Sequence, residues 1–117
     1  MKIVEIRPGE ARLSMRITTA MANGHGMCHG GFVFALADSA FAFACNSRNQ
    51  RMVAGQGAIT FVAPAEVDDV LTAHAREVHL RGRSGIYDVS VKNQTGVAIA
   101  EFRGHCRAIP GPLLPPT

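Results

Sequence analysis

NGHGMCHGGFVFALADSAFAFACN, residues 23–46, changes character about a third of the way along. Its first part, Asn23 to Gly31, holds four glycines and two histidines in nine residues, a composition for an irregular loop whose backbone takes unusual torsions or lies against a ligand. From Gly31 onward alanines dominate, phenylalanines stand at 32, 34, 41 and 43, and neither proline nor interior glycine intervenes. That predicts a helix of about four turns. Its apolar residues fall on every side, so protein must enclose it. In a chain of 117 residues the enclosing element is expected to be a sheet curling round it.

The flanking segments supply that sheet. From Ala11 to Thr18, Ala11, Leu13, Met15 and Ile17 alternate with Arg12, Ser14, Arg16 and Thr18, the period of a half-buried strand. After the helix, Met52–Phe61, Val70–Leu80, Gly85–Asn93 and Val97–Ile109 have strand length, separated by turn-forming runs such as Ala63-Pro64-Ala65 and Asn93-Gln94-Thr95-Gly96. The third of these is the clearest, with Tyr87, Val89 and Val91 set against Asp88, Ser90 and Lys92. Short links between successive strands favour antiparallel meanders. The expectation is an α+β fold: one antiparallel sheet of about five strands around one long helix, as a single domain over residues 1–109. Residues 110–117, PGPLLPPT, are expected to form a loose tail.

A chain of this length has no room for two cores, and it can hardly spare a ligand-sized cavity inside one subunit. Assembly is therefore expected. Twelve Lys and Arg against nine Asp and Glu leave a formal net charge of +3, which suits an acidic small molecule better than a nucleic acid. Cys28, Cys45 and Cys106 form no C-x-x-C pair and leave one thiol unmatched, as in a reduced, cytoplasmic setting. The N-terminal MKIVEIRPGE has no apolar run of the secretory type. The apolar stretch Gly31–Cys45 is interrupted by Asp38 and falls short of the ~20 residues that span a bilayer. No membrane contact is expected.

Two features carry chemistry. Asp38 stands in the middle of an otherwise uncharged apolar helix, where burial would raise its pKa and where perturbed carboxylates are often catalytic; a plain ion pair or loop cap accounts for it equally well. His29-Gly30-Gly31 opens the same helix, leaving backbone N–H groups and the positive end of the helix dipole open to an oxygen that gains negative charge. A glycine turn that merely lets the chain enter the helix is the plainer account of that run. Gly30 and Asp38 are eight residues apart, or about 12 Å along a helix. A base must work within ~3.5 Å of the carbon whose oxygen the amides polarise. One helix therefore cannot apply both to one substrate, whereas two helices side by side in a C2 dimer make two such sites.

Asn23 and His25 lie in the loop and can orient water or a carbonyl. His25-x-x-Cys28-His29 crowds three metal-ligating residues into one loop with no fourth matched elsewhere, so no metal is expected. Cys28 beside His29 makes a poor nucleophile pair, because adjacent residues rarely face each other. Arg48, Arg51, Arg81 and Arg83 lie in loops or at element ends, and their forks match phosphate oxygens, although a solvated basic surface explains them too.

N-G-H-x-x-x-H-G-G followed by A-L-A-D-S-A-F-A-F-A-C-N, with Phe61-x-x-Pro64, Gly85-Ile86-Tyr87-Asp88 and Phe102-Arg103-Gly104, resembles the hot-dog-fold acyl-CoA thioesterases of the phenylacetate-degradation (PaaI) type, over about Ala11 to Ala108. The resemblance implies a helix wrapped by a sheet, dimers that pair into tetramers, and hydrolysis of aryl- or hydroxyaryl-acetyl-CoA to acid and CoA without any cofactor. It places the carbonyl on the Gly30 N–H, beside Gly31, and makes Asp38 of the partner subunit the nucleophile or general base. Asn23 positions water or the carboxylate, His29 lies near the thioester sulfur, and His25, Arg48, Arg81 and Arg83 are expected on the CoA side. Some relatives have a serine near the start of the strand after the helix, where Val53-Ala54-Gly55-Gln56 offers no hydroxyl. Two other readings remain open: a hot-dog enoyl-CoA hydratase or dehydratase, and a non-catalytic acyl-CoA sensor.

Overall fold

The computed structural model describes residues 1–112 and 114. In chain order its elements are β1 (Lys2–Arg7), β2 (Glu10–Arg16), a short 3-10 turn (Thr19–Met21), α1 (Gly30–Cys45), β3 (Gln50–Phe61), β4 (Val70–Arg81), β5 (Ser84–Lys92) and β6 (Ala98–Pro112). The strands form one antiparallel sheet in the order β1-β2-β4-β5-β6-β3, and α1 lies against its inner face.

The alternation read from the sequence is what seats the helix. Ala11, Leu13 and Met15 on β2, Leu71, Ala73 and Ala75 on β4, and Tyr87, Val89 and Val91 on β5 all turn inward and are buried. On α1, Val33, Leu36, Ala37, Ala40, Phe41 and Ala44 face them at the three- and four-residue spacing of one helical side. Alanines on both surfaces let helix and sheet approach closely, and the rings of Phe41, Tyr87 and Phe102 fill the centre, 5.7–5.8 Å apart by centroid. Gly104 on β6 is part of that fit: a Cβ there would stand 2.7 Å from the Phe41 ring. Gly104→Ala is expected to destabilise the chain by ~1–3 kcal/mol through overpacking, read as a fall in Tm. If Phe41→Leu removes most of that penalty in the double variant, the clash lies where the geometry puts it.

Three expectations change. The sheet has six strands, not about five, because Lys2–Arg7 pairs with β2. A bulge between Ile3 and Glu5 sets Ile3 opposite Leu13 and Ile6 opposite Ala11, so two isoleucines three residues apart share one face, and the period-2 signature that would have announced a strand is lost. At the other end, β6 runs through Pro112, with Gln50 opposite Pro112, so the expected tail begins inside a strand. The Leu114 N–H donates to Asn49 Oδ1 at 2.8 Å; residues 113 and 115–117 lie outside the described residues. Finally, the sheet encloses only one side of α1. Phe32, Phe34 and Phe43 remain 36–41% exposed, and most of β3, at the sheet edge, is exposed as well.

Candidate active site

The helix start is bare. His29 sits at the N-cap in an extended conformation and no side chain caps the first turn. The first-turn N–H groups of a helix have no intrahelical acceptor, so those of Gly30 and Gly31 are available to an oxygen. The loop before them is pinned to residues 65–67: the Cys28 N–H donates to the Ala65 carbonyl at 2.7 Å, Met27 bridges Glu66, and the Val67 N–H donates to the Gly26 carbonyl at 3.4 Å. Asn23 closes the loop on itself. Its Oδ1 accepts from the N–H groups of His25 at 2.8 Å and Met27 at 3.3 Å, which leaves Nδ2 as the end still able to donate.

These elements frame a cleft of about 480 Å³ that Asn23, Gly30, Val33, Phe61, Pro64 and Ile99 help to line. Polar donors thus open onto an apolar recess, the usual make-up of a small-ligand site. The sequence marks Phe61 only through Phe61-x-x-Pro64. Its ring lies so close that a Cβ on Gly30 would stand 2.8 Å from Cζ, so glycine is what allows ring and helix start to meet. Gly30→Ala is expected to push the ring across the N–H groups and lower kcat about tenfold, the scale of a weakened oxyanion donor, with a smaller change in Tm. Unchanged kcat would separate Gly30 from the chemistry.

Asp38 lies elsewhere. It is half-buried, not buried as expected, makes no hydrogen bond or ion pair among the described residues, and does not line the cleft. It stands on the flank of α1 that the sheet leaves uncovered, with Ala35 and Ala42 at neighbouring helical positions. The ~12 Å that separates it from Gly30 along α1 is a property of the folded chain, since both belong to the same unbroken helix.

His25 and His29 are exposed, and among the described residues no three His, Cys, Asp or Glu side chains converge as a metal-ligand set. The Cys28 thiol donates to the His29 carbonyl at 3.3 Å, and burial pushes its pKa up, which keeps it protonated and argues against a thiolate nucleophile. Cys45 and Cys106 are buried in the core; desolvation, reinforced by Cys106, pushes Cys45 up to about 12. The arginines expected to meet CoA gather at the other end of α1. Arg48 pairs with Glu77, Arg48 and Arg83 border a separate cavity, and Arg81 ends β4 as an exposed side chain. No helix is long and apolar enough to cross a membrane among the described residues.

A six-stranded antiparallel sheet against one long helix, with a glycine-amide turn at the helix start, defines the hot-dog thioesterase class. Residues 25–100 match the family model described as the thioesterase superfamily, and the chain belongs to that superfamily; it is a thioester hydrolase. It is 41% identical to the acyl-coenzyme A thioesterase PaaI of Escherichia coli over 95% of this chain and 79% of that protein, and that protein's solved structure superposes with a TM-score of 0.93 over 95% of this chain and 80% of its own. The phenylacetic acid degradation protein PaaI of Thermus thermophilus, in a mutant form, gives a TM-score of 0.88 at 35% identity over 92% of each chain. A Streptococcus pneumoniae thioesterase protein solved with coenzyme A gives 0.88 at 25% identity, over 92% of this chain and 84% of that one.

Proposed function

We propose that this enzyme hydrolyses aryl- or hydroxyaryl-acetyl-CoA thioesters, in a site shared by two copies of the chain. The observation that carries this reading is the separation on α1: uncapped N–H groups at Gly30 above an apolar cleft, and an unpartnered carboxylate two turns away on the uncovered side of the same helix. Two helices packed through the faces bearing Ala35 and Ala42 bring Gly30 of one chain to Asp38 of the partner subunit. The same contact covers the exposed phenylalanines of α1, and pairing along β3 closes a sheet edge. The E. coli relative's name supports an acyl-CoA substrate, and the S. pneumoniae structure supports CoA as the carrier.

In this mechanism the thioester carbonyl oxygen accepts from the Gly30 N–H, with Gly31 alongside, and gains negative charge as the carbon is attacked. Asp38 of the partner subunit either attacks that carbon or takes a proton from the water that does. Where water attacks, loss of the C–S bond gives the free acid directly. Where Asp38 attacks, it gives a mixed anhydride on Asp38 that water then hydrolyses to the free acid, restoring the carboxylate. In both cases CoA leaves as the thiol, its sulfur taking a proton that originates from the water. Asn23 Nδ2 steadies water or carboxylate, and His29, exposed at the helix start, lies on the sulfur side with His25. Arg48 and Arg83 border the cavity beside Cys45, which lies about 22 Å along α1 from Gly30, and Arg81 ends β4 just before the turn that carries Arg83, so contacts of these arginines with CoA phosphates belong to the assembly. We further assign a dimer of dimers, a cytoplasmic setting, and a reaction without metal or cofactor.

The test is free-thiol release across a panel of acyl-CoA thioesters. Fastest release from phenylacetyl- and hydroxyphenylacetyl-CoA is expected. Turnover of enoyl- or hydroxyacyl-CoA without thiol release would identify a hydratase, and binding without turnover a sensor. Asp38, present and unpaired on the helix, favours hydrolysis over both.

A further inference from the structure

Phe61 is the last residue of β3, and its backbone is fixed. It stands opposite Ala100 on β6, and the next two N–H groups, of Val62 and Ala63, both donate to the Ile99 carbonyl, at 2.8 and 3.2 Å. The residue is nevertheless 52% exposed. What its ring touches is the helix start: the atoms nearest to a Cβ built on Gly30 are Cζ, Cε1 and Cε2 of Phe61, at 2.8, 3.1 and 3.3 Å. The ring therefore meets Gly30 tip first, and part of it stays open to the cleft. In an α-helix the N–H groups and the Cα–Cβ bonds both lean toward the N-terminus. The ring tip thus stands on the side from which the Gly30 N–H is approached. Val33, one turn further along α1, and Ile99 on β6 are buried and line the same cleft, so the wall beyond the ring is apolar too.

We infer that Phe61 is the residue that decides which acyl groups are accepted: its ring tip admits an unbranched α-carbon and rejects one that carries a substituent. This rests on the proposed function, which holds the thioester carbonyl oxygen on the Gly30 N–H. An oxygen ~2.9 Å from that nitrogen leaves the carbonyl carbon one bond further out and the acyl α-carbon two, beside the ring. The sulfur goes the other way, toward His29, so the apolar side of the cleft receives the acyl group. A CH2 next to the carbonyl, as in an arylacetyl group, passes the ring tip. An α-methyl needs the space that the ring already denies to a Cβ on Gly30. One misfitting methyl in an apolar pocket changes kcat/KM about 10- to 200-fold, enough to sort substrates by this carbon alone.

The test compares phenylacetyl-CoA with racemic 2-phenylpropanoyl-CoA, which differ by one α-methyl, in the parent enzyme and in Phe61→Ala. The parent is expected to favour the unbranched thioester by about tenfold or more in kcat/KM, and Phe61→Ala to bring that ratio within about twofold, chiefly by gaining rate on the branched thioester. Phe61→Leu, which keeps an apolar side chain without the ring tip, is expected to give an intermediate ratio and guards against a folding defect in the alanine variant. Slower intrinsic attack beside a branched carbon is common to every variant and cancels. Butanoyl-CoA and 2-methylbutanoyl-CoA repeat the comparison without an aryl group. A wrong aryl preference then shows as faster turnover of the aliphatic pair, while the effect of Phe61 is still read. A parent enzyme that takes both members of each pair equally, or variants that leave the ratio unchanged, overturn the assignment. If Gly30→Ala still lowers kcat, that failure leaves the proposed function standing; if Gly30→Ala does not, both fall together.

Discussion

Asp38→Asn lowers kcat for phenylacetyl-CoA by about a thousandfold, and Asp38→Ala does the same, the scale set by loss of a positioned base or nucleophile. The side chain is half-buried and has no partner among the described residues, so its removal leaves no buried group unsatisfied and opens no cavity. Tm and sedimentation are therefore expected to match the parent chain, which separates a chemical effect from unfolding. Asn keeps the shape and loses only the ionised oxygen, so agreement between the two variants points to charge. Single-turnover hydrolysis in labelled water then divides the two roles: label entering the Asp38 carboxylate marks direct attack. Normal turnover by either variant removes Asp38 from the mechanism.

Mixing two dead variants restores activity if the site spans two chains. Asp38→Ala keeps the bare helix start, and Gly30→Val, whose branched side chain must collide with Phe61, keeps the carboxylate. After dissociation and random reassociation about half the dimers are mixed, and each has one intact site of two, so about a quarter of parental activity is expected. Against the ~10⁻³ left by Asp38→Ala and the ~10⁻² left by Gly30→Val, in which the N–H groups are blocked outright, that is a rise of tens to hundreds of fold, measured by thiol release after refolding the chains together and separately. A site contained in one chain gives no rise, because every chain in the mixture carries one defect. A monomer that keeps full activity on dilution would contradict the shared site equally.

The fold was legible because its signals are local. Strand alternation at Ala11–Thr18 and Tyr87–Val91, and the unbroken alanine-rich run after Gly31, are dictated by side-chain period, and the structure places β2, β5 and α1 there. What escaped was set by neighbours. The bulge in β1 mixes the two faces of Lys2–Arg7, and the pairing of Gln50 with Pro112 holds a proline-rich end in β6, beyond its last pair with β5 at Arg107, where only β3 lies alongside and a missing N–H costs little.

The site divides in the same way. The sequence by itself determined that a carboxylate and a glycine-amide turn share one helix at a spacing one substrate cannot bridge, because helical rise is a fixed length per residue. Only the tertiary structure decided that Asp38 lies on the side the sheet leaves open, that Phe61 from β3 closes on Gly30, that Asn23 spends its oxygen on its own loop, and that Arg48 and Arg83 border a different cavity. Each of these depends on which surfaces the sheet covers as it curls, and contacts between residues far apart in the chain leave no period in the sequence to read.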